Sequence, residues 1–174
     1  MFHREHPFLP QPICSKTARL AVKENNMNKR EIVQSLLDSV QKGDFKSAKT
    51  LLADDFQFSG AVPQPINQEA WLGMIASMKT AFPDLDYHFK VIGADDDIVK
   101  TTAQLSGTHR GSFDLTNMNL GVIPATNKTF SAKLENTKIT VKENKVTSWA
   151  VEPTEGAGLK AILGQLGVKS PPVA

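Results

Sequence analysis

Read from the N-terminus, apolar residues first recur every three or four positions and later every two. Ile32, Val33, Leu36, Leu37 and Val40 form a stripe at helical spacing. Asn28 is a good N-cap and Glu31 three positions on completes a capping-box pattern, so the spacing predicts a helix over 29–42 closed by Gly43. Asp44 caps a second short helix that buries Phe45, Ala48, Leu51 and Leu52. Phe56 and Phe58 then sit at strand spacing before Gly60, Pro63 and Pro65 break the chain. A third helix opens near Asn67, carries Trp71, Met74, Ile75, Met78 and Phe82 on one face, and stops at Pro83.

From Leu85 onward the period is two. Leu85, Tyr87, Phe89 and Val91 alternate with Asp86, His88 and Lys90 over 85–93. Asp95, Asp96 and Asp97 read as a hairpin turn, because they lack the alternating spacing of a calcium loop. Residues 98–109 form the next strand, and 114–127 a loop rich in Asn, Gly and Pro. Residues 129–152 read as two long strands joined by a turn at Lys142–Lys145. Phe130, Ala132 and Leu134 hold one parity, then Ile139 and Val141 take the other, which suggests a bulge between them. Thr129, Ser131, Lys133 and Glu135 fall on the opposite parity and suit solvent or an interface. After a loop over 153–158, Leu159, Ile162, Leu163 and Leu166 give a short amphipathic helix closed by Gly167.

Helices first and antiparallel strands after them imply an α+β domain with helices on one face of a curved sheet. Residues 1–26 read as a poorly ordered tail, with three prolines and no clear periodicity, and residues 27–174 as one domain. His3 and His6 in the tail have a spacing that could bind metal, but a solvated tail is the better reading. No apolar run reaches the ~18 residues of a membrane span. The tail lacks the pattern of a secretory signal, and the single Cys14 excludes an intrachain disulfide framework, so the cytoplasm is the expected location.

The chain has 20 basic and 18 acidic side chains. Four of the basic and two of the acidic ones lie in the tail, leaving 16 of each in the body. A balanced domain without a basic stripe is poor material for nucleic-acid binding. Patterns for serine hydrolysis, zinc proteolysis, phosphate loops and dinucleotide binding are absent. What remains is aromatic and apolar side chains able to line a cavity, Phe58 and Trp71 foremost, with Trp71 or Met74 of the third helix covering it.

LLADDF (51–56), GTHRGSF (107–113), GVIPATNKTF (121–130), KVTSW (145–149) and ILGQLGV (162–168) occur in an order and spacing that resembles the SnoaL-like polyketide cyclases of the nuclear transport factor 2-like superfamily. The resemblance covers about residues 29–168 and implies a cone-shaped, cystatin-like sheet with helices packed on its concave face. It also implies intramolecular aldol closure of an apolar, carbonyl-bearing molecule, using acid/base carboxylate chemistry and no metal or organic cofactor. His109 stands where the family places an active-site histidine, and Trp149 matches the tryptophan before the catalytic position. The family's usual aspartate, about four residues after that tryptophan, is replaced here by Pro153. Glu152 or Glu155 is then expected to supply the carboxylate, beside a substrate pocket of Phe58, Trp71, Met74, Phe113 and Trp149. The strand ending at His109 and the strand ending at Glu152 are expected to reach the same open end. A homodimer through the outer sheet face is expected too. Two other functions fit the same sequence: a non-catalytic binder of small ligands, and an interaction module working through that outer face.

Overall fold

The computed structural model describes residues 16–116 and 120–168. Helix α1 spans Lys16–Lys42 and buries Val33, Leu36, Leu37 and Val40 on one face. It starts well before Asn28, so the expected cap lies inside it. No glycine or proline occurs between Lys16 and Lys42, and nothing in the backbone halts the helix there. Of the expected tail, residues 16–26 continue α1, while residues 1–15, with His3, His6 and Cys14, lie outside the described residues. Gly43 ends α1 in the left-handed conformation, at φ +77°.

Helix α2 (Phe45–Leu51) is capped by Asp44, whose Oδ1 accepts from the Ser47 N–H at 3.1 Å. Helix α3 (Gln68–Ala81) is capped in the same way by Asn67, with Trp71, Ile75, Met78 and Ala81 buried. Helix α4 (Gly158–Leu166) buries Ile162, Leu163 and Leu166 and ends at Gly167, φ +75°. Among the described residues no helix is long and apolar enough to cross a membrane.

The main sheet has six strands. They are β1 (Leu52–Ser59), β2 (Ile66–Asn67), β3 (Lys90–Asp95), β4 (Ile98–Ala103), β9 (Glu135–Lys142) and β10 (Lys145–Val151), in the order β2-β1-β10-β9-β4-β3. All pairings are antiparallel except β1 with β10, which brings Phe58 opposite Trp149. The β9–β10 turn has Glu143 and Asn144 at φ +48° and +61°, the backbone twist that a two-residue hairpin needs. Lys29 of α1 ties that helix to the β3–β4 turn, its Nζ 2.6 Å from Asp97 Oδ1.

Two small pairs complete the fold: β5 (Ser106–Thr108) with β8 (Thr129–Ser131), and β6 (Phe113–Leu115) with β7 (Gly121–Ile123). The strand expected over 98–109 is therefore split into β4 and β5. The first strand of the expected long hairpin is split as well, into β8 and β9. The phase change marks that break and not a bulge. Phe130 and Ala132 are buried, Lys133 and Leu134 are exposed at the corner, and Glu135, Thr137, Ile139 and Val141 then point inward without interruption. The irregularity in pairing lies instead on β10, between Val146 and Ser148.

Candidate functional site

The inward faces of β1, β9 and β10 and the buried face of α3 enclose a cavity of about 110 Å³. Its aromatic wall is continuous. Trp71 lies 5.4 Å from Trp149 and 6.1 Å from Phe58, and Trp149 lies 5.7 Å from Phe89. Tyr87 stacks on Phe89 at 4.8 Å with the rings 6° from parallel. Met74, Met78, Phe113 and Leu115 line the cavity as well. Its lining includes the exposed Ala61 and the partly exposed Met74, Val151, Gly158 and Leu159, which puts the mouth between the loop after β1, α3 and the start of α4. The five residues expected to contact substrate, Phe58, Trp71, Met74, Phe113 and Trp149, all lie on this one cavity.

The carboxylate inside the cavity is Glu135, a residue the sequence pattern placed on the outer face. It is 8 % exposed, lines the cavity, and forms no salt bridge among the described residues. Burial pushes its carboxyl above the usual value, because an apolar surrounding disfavours the charged form. Ala103, its partner in register on β4, is small and leaves the carboxyl room. Thr137, two residues along, lines the cavity too and hydrogen-bonds the Thr101 hydroxyl. Trp149 contributes an Nε1–H that is buried without an acceptor among the described residues. Counting parity backward from Ile139 and Val141 would have placed Glu135 inside; counting forward from Phe130 crosses the corner at 132–134 and inverts it.

Glu152 and Glu155 are not in the cavity. Glu152 follows β10 on the outer face, its Oε1 2.8 Å from Lys138 Nζ, and that ammonium holds its carboxyl below the usual range. Glu155 is exposed in the loop before α4. The expected pairing of Glu152 with His109 therefore does not form, because Glu152 continues the outward parity of Ala150, whose register partner is Lys138.

His109 is fully buried, yet it stands behind the cavity wall. Its ring packs 5.1 Å from Phe82 and 6.2 Å from Phe113. Nδ1 accepts from the Thr126 N–H at 3.3 Å, which leaves Nε2 to carry the proton, buried and without a partner among the described residues. Burial pulls its pKa below the ordinary value, so the ring is neutral. The GTHRGSF stretch around it is tied to α3. The Arg110 and Gly111 N–H groups both donate to Ala81 O, and a Cβ on Gly111 would lie 2.1 Å from Thr80 O.

A second depression, of about 240 Å³, has a polar lining that includes Gln34, Asp38, Asp86 and His88. There His88 Nε2 lies 3.0 Å from Ser106 Oγ and Nδ1 3.6 Å from Asp86 Oδ2. Both the His88 and Asp86 side chains are about half exposed, so water competes for every contact in that row. Among the described residues no group of three or more His, Cys, Asp or Glu is placed to hold a metal ion.

Helices on the concave face of a curved sheet, closing over one apolar cavity, define a ketosteroid-isomerase-like or nuclear transport factor 2-like architecture. The chain matches the SnoaL-like polyketide cyclase model over residues 30–153 and belongs to that family. Solved structures agree on the fold. A candidate SnoaL-like polyketide cyclase from Jannaschia sp. CCS1 is 19% identical with a TM-score of 0.66, over 83% of this chain and 95% of that one. IdmH from Streptomyces antibioticus, a candidate polyketide cyclase, is 22% identical with a TM-score of 0.60, over 80% and 99%. An epoxide hydrolase of the LEH-like type from M. tuberculosis is 16% identical with a TM-score of 0.57, over 82% and 95%. No curated protein matches the chain by sequence.

Proposed function

We propose that this protein is an acid/base catalyst of the cyclase or isomerase type, acting on an apolar molecule with an enolisable carbonyl. The observation that carries this reading is Glu135, a carboxyl buried in an apolar cavity with no ion-pair partner among the described residues. A carboxylate there is a stronger base than one in water, and its raised pKa suits proton transfer near neutral pH. Glu135 would take a proton from the carbon next to the substrate carbonyl. The resulting enolate would attack a second carbonyl within the same molecule, forming the ring bond. The alkoxide so formed would recover the proton from Glu135, leaving the carboxylate as it began. The aromatic wall of Trp71, Phe58 and Trp149 would exclude water and hold the reacting carbons together. The same reading includes a homodimer through the outer sheet face, which light scattering at micromolar concentration checks; a monomer removes it.

Exchange of deuterium from solvent into 2-indanone, followed by NMR, tests the chemistry without knowledge of the natural substrate. Wild-type protein should accelerate exchange next to the carbonyl, and Glu135→Gln should not. Binding without exchange in the wild type would leave a non-catalytic carrier of small ligands.

A further inference from the structure

Tyr87 also lines the cavity, is 6 % exposed, and among the described residues its hydroxyl has no hydrogen-bond partner. Its position is fixed from three sides. The ring is stacked on Phe89. The Tyr87 N–H donates to Gln41 Oε1 of α1 at 2.9 Å, and its carbonyl accepts from the Gln104 N–H at 2.8 Å. Gln41 is itself held, since its Nε2 donates to Leu85 O and its carbonyl accepts from Lys79 Nζ. A phenol placed so firmly, with no protein partner among the described residues, is free to donate to an oxygen that enters the cavity.

Its relation to Glu135 gives that donor a purpose. Glu135 lies opposite Ala103 on one side of the 103–105 segment, and Ala132 donates to Leu105 O on that same side. Tyr87 bonds Gln104 from the other side. Both side chains line the same cavity. The volume enclosed, about 110 Å³, is smaller than the ~150 Å³ of a cavity that holds benzene. Nothing larger than a single ring is therefore enclosed, and any larger substrate leaves its remainder at the mouth.

We propose that Tyr87 is a catalytic residue that donates its hydroxyl to the oxygen of a ring-sized carbonyl while Glu135 works on the neighbouring carbon. This rests on the acid/base reading of Glu135. As that carbon loses its proton, charge moves to the oxygen, and a preplaced donor there stabilises the enolate more than the ketone. Burial raises the Tyr87 pKa, so the phenol keeps its proton across the working range.

The test is a spectrophotometric titration with 4-nitrophenol, whose ionised oxygen mimics the enolate, at a pH where the free phenol is half ionised. Nitrobenzene, which lacks that oxygen, serves as the shape control. Tyr87→Phe should weaken 4-nitrophenolate binding by about tenfold or more while nitrobenzene binds as before. Glu135→Gln should bind the phenolate more tightly than the wild type, because a like charge is gone. Equal phenolate affinity in wild type and Tyr87→Phe would overturn the role of Tyr87 and leave the exchange test of Glu135 standing. Failure of wild type to bind either molecule would overturn both.

Discussion

Glu135 and Glu152 lie on opposite faces of one sheet: Glu135 at the start of β9 turns into the cavity, and Glu152 just past β10 turns out to Lys138. The environment, and not the residue type, separates them. Burial raises the pKa of the first, and an exposed ion pair lowers that of the second. Glu152→Gln should leave 2-indanone exchange and melting temperature close to wild type, since exposed ion pairs contribute little. A loss of exchange as large as that in Glu135→Gln would return the acid/base role to Glu152.

Glu135 should also report on itself through stability. Its folded pKa is above the ordinary 4.5, so the folded state pays for a buried charge once pH exceeds that raised value. Glu135→Gln should therefore melt higher than wild type at neutral pH. The gap should close as pH falls through the raised value and vanish below about 4.5. Thermal melts of both proteins along a pH series check this, and a gap independent of pH would contradict it.

Ala103 opposite Glu135 is the place to block the cavity without touching its chemistry. Ala103→Leu should abolish binding of nitrobenzene and slow exchange together, while circular dichroism retains the native spectrum. Overpacking of this kind costs about 1–3 kcal/mol, which a melt will register.

His109 should behave as a core residue. His109→Ala removes a fully buried ring packed on Phe82 and Phe113, and should cost about 2–4 kcal/mol at neutral pH. The folded pKa is depressed, so the wild type loses stability as pH falls below the ordinary 6.5, where the unfolded chain takes up a proton first. The deficit of the variant should accordingly shrink in acid. A variant of normal stability that had lost exchange would instead put His109 in the chemistry.

The helical layer was largely legible in the sequence. Asp44 caps as expected and α3 opens at Asn67, and most of the expected stripes of α1, α3 and α4 are buried, with Ile32, Met74 and Leu159 only partly so. Spacing carries those features, because a helix face is set by neighbours a few positions apart. The start of α1 was missed, since a good capping residue at Asn28 does not stop a chain that has no breaker before it. The aromatic lining was legible for a similar reason: Phe58, Trp71 and Trp149 sit on inward parities that the pattern gives correctly. The carboxylate was not. Period two carries a face forward only while the strand is unbroken, and one exposed corner at Lys133 and Leu134 reversed every later assignment up to Glu135. Tyr87 falls on the inward parity of its segment, but its neighbours in sequence do not show that its hydroxyl lacks a partner among the described residues.

The position of β10 has a consequence for how the molecule is made. Among the described residues this strand is the last of ten, yet it lies between β1 and β9, and its parallel pairing with β1 joins residues far apart in the chain. During synthesis α1, α2, α3 and most strands emerge while the middle of the sheet is still missing. Until Lys145–Val151 arrives, β1 and β9 each present an unpaired edge with apolar side chains, which invites pairing with another chain. Such late, non-local closure makes for slow folding. A chain ending at Asn144 should be insoluble, while one ending at Val168 should refold in a single slow phase.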